Sequence, residues 1–428
     1  MQNNIIKNDK KTINAWAMFD WANSAYSLVI GTAVFPPYFD EIYKDGLNVG
    51  DSHINSSSLF SFALTAAYLL MAFLSPILSG IADYGGKKKL FLSFFTVLGS
   101  IGCLSLWWFD DNMRWVGIFG FALSTIGWLG SIVFYNSYLP EIATEDRYDQ
   151  VSAKGFALGY IGSVLLLLVN LAMIMNFKSF GFSSAVQATT LSFLMVGFWW
   201  FGFAQITLFR LPEVPTEKPM GNVIAKGFEA IKSVWFQLPN YPNIKRFLIA
   251  FFFYNGGVQT VIYMATIFAK KELHFEITQL IITVLILQIV GIIGAYLFAN
   301  ISDKKGNVYS LSITLAIWII VCVAAYFVQA DYQFYAVGAL VGLVMGGVQS
   351  LSRATFSKLV PKNSSENTSF FSFYDVVDKL SVVFGTLIFG IIDNMTGNMR
   401  YSALTLSLFF IVGVVLVNKV KVRNVNVE

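Results

Sequence analysis

Charge is what this chain has least of. Only 13% of its 428 residues are Asp, Glu, Lys or Arg, against 56% hydrophobic, whereas soluble domains carry roughly a quarter charged residues. That deficit excludes an ordinary water-soluble globule and points to a protein solvated by lipid. Cysteine is almost absent: Cys103 and Cys322 each sit in an apolar run, so they read as small buried hydrophobes. Neither a disulfide framework nor a cysteine metal site is expected. The two histidines, His53 and His274, fall between apolar runs. With no histidine inside a run, and no nucleophile elbow, metal-ligand cluster or phosphate loop in sight, the chain does not read as an enzyme. No cofactor or metal is expected.

What is present is a series of apolar segments of about 20 residues, the length that crosses a hydrocarbon core. Twelve spans are expected, at 13–38, 59–82, 89–109, 115–137, 151–175, 186–209, 246–269, 277–301, 309–329, 333–357, 368–392 and 400–418. The first lacks a cleavage site and is too long for a signal-peptide core, so it reads as a mature helix. Lys and Arg orient the bundle, because short cytoplasmic loops retain positive charge. Of the 29, only Lys44, Arg114, Lys178, Lys270, Lys271 and Arg400 fall outside if the N-terminus is inside. Both termini are therefore expected in the cytoplasm, and the net charge of +4 reflects this bias, not nucleic-acid binding. The compact chain suits a bacterial inner membrane.

The longest interior break, residues 210–245, opens with the prolyl stretch "RLPEVPTEKP" and divides the chain into six-span bundles at 1–209 and 246–428. Within it Ile224, Phe228, Ile231 and Trp235 recur at helical spacing, with Lys226, Glu229 and Lys232 on the other side. That pattern predicts a short helix lying in the interface.

The halves repeat. "SGIADYGGKKK" follows span 2 and "ANISDKKGNVY" follows span 8, so Asp83 and Asp303 stand 220 residues apart, each three before a glycine, Gly86 and Gly306. The cysteines and Pro140/Pro361 keep nearly that offset, whereas "SLVI" of span 1 and "QTVI" of span 7 lie 232 apart. A first outer loop longer by about a dozen residues than its counterpart reconciles the two offsets. The chain is thus an internal duplication.

Twelve spans, a 6+6 duplication and Asp-x-x-Gly with adjacent lysines in loops 2/3 and 8/9 together resemble the major facilitator superfamily. Ser79 and Ala299 stand where its loop pattern usually has a first glycine. Within that superfamily the chain resembles the vacuole-effluxer branch, through "FDWANSAY" (19–26), "YNSYLPEIA" (135–143), "GFALGYIGS" (155–163), "FFYNGGVQTVI" (252–262), "GGVQSLSRA" (346–354) and "FYDVVDK" (373–379). The resemblance implies an all-α membrane fold of two pseudo-symmetric six-helix halves, with spans 1, 4, 7 and 10 lining a central cavity. It also implies that loop residues Asp83, Gly86, Lys87, Asp303, Lys304 and Gly306 gate the cytoplasmic side. The bland alternative, turns that cap two helices and keep lysines inside, fits the same residues. Gly256 occupies a place where the branch often has an acid, so no coupling role transfers to it.

A carboxylate at the membrane centre costs about 2.5–3.5 kcal/mol on insertion scales, so Asp20 of span 1 should face protein or water. Helical spacing puts Trp16, Asn23, Ser24 and Ser27 on its side, and the matching stripe of span 7 carries Asn255 and Gln259. Asn136 and Gln349, in spans 4 and 10, extend the candidate set. Span 11 carries Tyr374, Asp375, Asp378 and Lys379; Asp375 and Lys379 are four apart and can pair on one face. Asp378 is then left over, with Arg353 at the inner end of span 10 as its expected partner. Asp20 and Asn23 are expected to line the central cavity in a substrate-binding or coupling role, with Asp20 or Asp378 able to cycle a proton if buried. Structural glue between helices is the alternative, and Arg353 reads either as a ligand for a substrate carboxylate or as a snorkelling anchor.

The reading is a secondary active transporter that moves a small polar solute, an amino acid by resemblance, through a midplane site. It is expected to act in the bilayer as a monomer. Protons are one coupling option; facilitated diffusion of another solute, such as a sugar or peptide, needs none. A transporter-fold sensor is the remaining class, and the ten residues after Asn418 offer it little output module.

Overall fold

The computed structural model describes residues 6–49, 52–54, 56–213, 223–361 and 367–422. Helix α1 (Lys10–Ala25) begins where the Asp9 carboxylate accepts from the Thr12 amide at 2.9 Å and its hydroxyl at 2.7 Å; these bonds hold Asp9 below the usual carboxylate range. The helix continues as a π-helix over Tyr26–Ala33. It stops at Val34, before the short outer helix α2 (Phe35–Ile42) opens on Pro36 and Pro37. Two prolines without N–H groups cannot extend the ladder behind them, so the run expected at 13–38 is three pieces.

After a small hairpin, β1 (Leu47–Val49) with β2 (Ser52–Ile54), follow α3 (Ser56–Gly85), α4 (Lys88–Ser105), α5 (Arg114–Asn136), a short α6 (Leu139–Ile142), α7 (Tyr148–Met175) and α8 (Ala185–Arg210). A linker helix α9 (Val223–Gln237) leads to α10 (Pro242–Leu273), α11 (Ile277–Lys305), α12 (Asn307–Phe327), α13 (Asp331–Leu359), α14 (Asn367–Thr396) and α15 (Met399–Val417). Ten of these are long and apolar enough to cross a membrane. The two others needed for twelve are α1, only 16 residues before its π segment, and α14, which carries Asp375, Asp378 and Lys379. Shortness hides α1 from a hydropathy count, and charge within the span hides α14.

The duplication is visible in the packing. In the first half α1 packs on α7 and α8, α3 on α5, and α4 on α8; in the second α10 packs on α14 and α15, α11 on α13, and α12 on α15. The buried side chains fall into two main clusters, Ile13 to Leu211 and Val234 to Val420, with a few residues such as Ala354, Val382 and Tyr160 crossing over. The halves meet along two equivalent seams, α3 with α14 and α7 with α11, and α13 adds contacts to α7. Cys103 and Cys322 are both buried and unpaired.

Linker residues 214–222 lie outside the described residues, as do the side chains of Ile224, Lys226, Phe228 and Ile231. Helix α9 packs chiefly on α3 and reaches α14, bridging the halves beside the face that carries both termini.

Candidate functional site

Both Asp-x-x-Gly turns use glycine for its conformational freedom: φ is +60° at Gly86 and +88° at Gly306, where a side chain would be strained. Each turn delivers its carboxylate to the other half. Asp83, at the end of α3, accepts from the backbone N–H groups of Thr368 (3.2 Å) and Ser369 (2.7 Å) and from the Ser369 hydroxyl (2.9 Å). It thereby satisfies the orphan donors of the first turn of α14, where helix polarity favours negative charge. Asp303, at the end of α11, accepts from Gln150 Nε2 of α7 at 2.6 Å, and Gln150 also donates to Asn300. Lys87 and Lys304 point to solvent. The buried lysine of the first turn is instead Lys88, paired with Glu141 of α6.

A second link was not expected from the sequence. Asp149, in the first turn of α7, is fully buried and accepts from Ser302 Oγ, Asn307 Nδ2 and Lys358 Nζ, each at 2.8 Å. A charged residue in the first turn of a span reads as a solvated cap, and nothing in the sequence tells Asp149 apart from its charged neighbours Glu145, Asp146 and Arg147.

Deeper in the bundle, Arg353 of α13 reaches across the seam. Its Nη1 lies 3.0 Å from Asp20 Oδ2 and 3.3 Å from Asn136 Oδ1, while Nε and Nη2 donate to the Ser152 hydroxyl and carbonyl at 2.9 and 2.8 Å. Tyr135 donates to Asp20 at 2.8 Å, and the guanidinium packs over Phe156 and Trp16, 4.2 and 4.7 Å from their ring centroids. Trp16 is itself fixed, stacked on Tyr135 and donating to the Tyr135 carbonyl at 3.1 Å. The flat, five-donor fork of arginine suits a site with acceptors on three sides. Arg353 is 2% exposed, a burial tolerable only for a charge paired and hydrogen-bonded throughout. The expected Arg353–Asp378 partnership is therefore corrected: Asp20 takes the guanidinium. Gly155 permits the approach, since a Cβ there would collide with Asp20 Oδ2 and with Arg353 Nη2.

Farther from the termini face, Gln349 accepts from Tyr160 across the seam at 2.7 Å. Asp375 and Lys379 form the expected ion pair in α14, and Tyr374 is stacked against Phe251 and Phe356. Asp378 instead accepts from Asn255 Nδ2 at 2.7 Å, with Gln259 beside it. The phenols of Tyr68 and Tyr263 lie near it. Those hydroxyls meet across the halves at 3.1 Å. Asn23 is buried, and its Nδ2 has no hydrogen-bond partner among the described residues. The candidate residues other than Asn23 thus divide into a seam group (Trp16, Asp20, Asn136, Gln349, Arg353) and a mid-depth group around Asp378 (Asn255, Gln259, Tyr374, Asp375, Lys379). Tyr135, Asp149, Ser152 and Lys358 complete the seam; of these only Tyr135 lies in a stretch that the sequence singles out. Among the described residues, no three His, Cys, Asp or Glu side chains converge as a metal site would require.

Two duplicated six-helix bundles, joined by charged contacts on one face and enclosing a mid-depth polar cluster, define a major facilitator transporter. Solved structures of that superfamily share the fold. A proton:xylose symporter, XylE, aligns with a TM-score of 0.75 at 14% identity over 95% of this chain and 94% of its own. The transporter FucP in the outward conformation aligns at 0.72 and 13%, over 97% and 100%. The model of the family "Vacuole effluxer Atg22 like" matches residues 8–428, and the chain belongs to that family. It is 31% identical to the uncharacterized MFS-type transporter YxiO of Bacillus subtilis, over 96% of this chain and 95% of that protein. Autophagy-related protein 22 of Kluyveromyces lactis is 25% identical, over 84% and 78%.

The gating reading of Asp83 has a direct test. Asp83→Asn keeps the shape but loses charge-assisted hydrogen bonds worth about 1.5–3 kcal/mol. A cysteine replacing Ser137, which faces Thr368 across the seam at 3.4 Å, is expected to react at least about tenfold faster with a water-soluble maleimide in that background. Equal rates would remove Asp83 from the seam's energetics.

Proposed function

We propose that this protein is a secondary active transporter that exports a small zwitterionic solute, an amino acid, by alternating access between its two halves. The observation that carries the reading is Asp378: a mid-depth carboxylate that is not sealed from its surroundings, with amides from Asn255 and Gln259 at its side and the Tyr68–Tyr263 pair close by. Such a group recognises an ammonium or carries a coupling proton, and the neighbouring Asp375–Lys379 pair neutralises itself and leaves Asp378 the net charge. Asn23 Nδ2, a buried donor without a partner, is suited to a solute carboxylate. In this reading both termini are cytoplasmic, the protein sits as a monomer in a bacterial inner membrane, and the seam through Asp20, Arg353 and Asp149 is the closed cytoplasmic gate.

The test is counterflow and gradient-driven uptake in proteoliposomes, screened over amino acids, peptides and sugars. For wild type, counterflow of at least one amino acid is expected. If Asp378 carries the coupling proton, Asp378→Asn abolishes accumulation against a gradient and leaves exchange intact. If it binds the solute ammonium, exchange and affinity fall together by about ten- to a hundredfold, the scale of a lost charge-assisted bond. Wild-type accumulation and exchange in the variant would overturn the assignment, and counterflow confined to sugars would overturn the solute class.

A further inference from the structure

Helices α9, α10 and α14 enclose an apolar groove on the termini face that none of the transport machinery uses. It is lined by Trp235 and Leu238 at the linker end, by Leu248, Ile249, Phe252 and Phe253 along α10, and by Val377 of α14, and it has a volume of about 600 Å³. That falls within the roughly 300–1,000 Å³ typical of small-molecule sites. Its lining runs along α10 from Lys245 to Phe253, about 12 Å at 1.5 Å per residue, from the helix start on the termini face toward the middle of the span. Trp235, 61% exposed, is an aromatic at the depth where such rings mark the headgroup boundary.

The mouth of the groove is basic. Lys245 lines it, is exposed, and has no ion pair among the described residues. Arg246 is also exposed and, among the described residues, its side chain donates only to the Lys419 carbonyl at 3.5 Å. The tail after α15 brings Lys421 alongside, its amide donating to Asn243 at 3.2 Å. An apolar slot running into the membrane below a cluster of unneutralised cations complements one kind of molecule, an anionic phospholipid: the chain in the slot, the phosphate at Lys245. Basic residues beside a bilayer surface attract anionic headgroups.

We infer that this groove is a binding site for an anionic phospholipid of the leaflet on the termini face, with Lys245 at the phosphate and Ile249, Phe252 and Phe253 along an acyl chain. The site adjoins the seam. Trp235 packs on Phe373 of α14, ring centroids 6.0 Å apart, four residues from Ser369, which donates to Asp83, while α9 holds α3 on its other side. A bound lipid therefore buttresses the bridge between the halves.

The experiment is native mass spectrometry of the full-length protein released from nanodiscs containing equal amounts of phosphatidylglycerol and phosphatidylcholine. Wild type is expected to retain one phosphatidylglycerol in preference to phosphatidylcholine. Lys245→Glu is expected to lose that preference by at least tenfold, and Ile249→Trp, which fills the slot and leaves the charge, to lose the adduct altogether. Size-exclusion profile and melting temperature in detergent establish that both variants are folded. If folded variants keep the wild-type adduct and headgroup preference, or if wild type retains both lipids equally, the inference is wrong. If either variant unfolds, Leu248→Trp and Lys245→Gln replace it under the same criteria.

Discussion

Arg353→Met is expected to unseat the contact that holds the halves together on the termini face. Removing one partner of a buried ion pair costs about 3–5 kcal/mol because the other charge is left behind; here Asp20 would keep only Tyr135 as a donor. At about 1.4 kcal/mol per tenfold, that shifts the balance between seam-closed and seam-open states by more than a hundredfold. Distances across α7 and α13, measured by paired spin labels, are expected to lengthen, and net transport to fall with them. The companion variant decides the mechanism. Asp20→Leu combined with Arg353→Met replaces the pair with apolar side chains, a change that is often neutral in buried sites, so the double variant is expected to regain most of the lost closure. If Arg353→Met alone leaves the distances and melting temperature unchanged, the pair is not a latch.

The second large effect is expected at Asp149. Substitution by alanine strips three donors of their acceptor at once and leaves Lys358, whose side chain is 8% exposed, with only Asn307 Oδ1, at 2.7 Å, among the described residues. A loss of about 3–5 kcal/mol follows, and Asp149→Asn, which keeps an acceptor, should cost less than half of it. Lys358→Met in the alanine background should recover stability, because no unpaired cation then remains. Thermal unfolding in detergent checks the order wild type, Asn, Ala. An alanine variant as stable as wild type would show that the four-residue cluster is ornament.

The architecture was largely legible in the sequence, and the reasons are specific. The Asp-x-x-Gly turns repeat at a fixed offset, and the charged ends of the spans mark their faces. What could not be read was partnership. Arg353 has two carboxylates within plausible reach, Asp20 and Asp378, and spacing along one helix says nothing about which one another helix brings close. Gly155 contributes, since its missing side chain leaves room beside α7 for the Asp20 carboxylate and the Arg353 guanidinium to meet, a feature of packing and not of pattern. Asp149 escaped for the complementary reason: an acid in the first turn of a helix is ordinarily satisfied by water and the helix dipole, and only the folded chain shows it dry. The sequence predicts span 1 as one unbroken run over 13–38; Pro36 and Pro37 open a separate helix, and the π-helical path before them was not legible because residues 26–33 carry no composition that distinguishes it from an α-helix.

The Asp83 contact also bears on how the chain is built. The first turn of α14 finds its acceptor in a residue made 285 positions earlier, so that helix end cannot be completed locally as it leaves the ribosome. Its N–H groups must wait, hydrated or in provisional contacts, until two six-helix units have been inserted and docked. Closing so distant a contact is a late event in folding, so the beginning of span 11 is completed only when the two halves have joined.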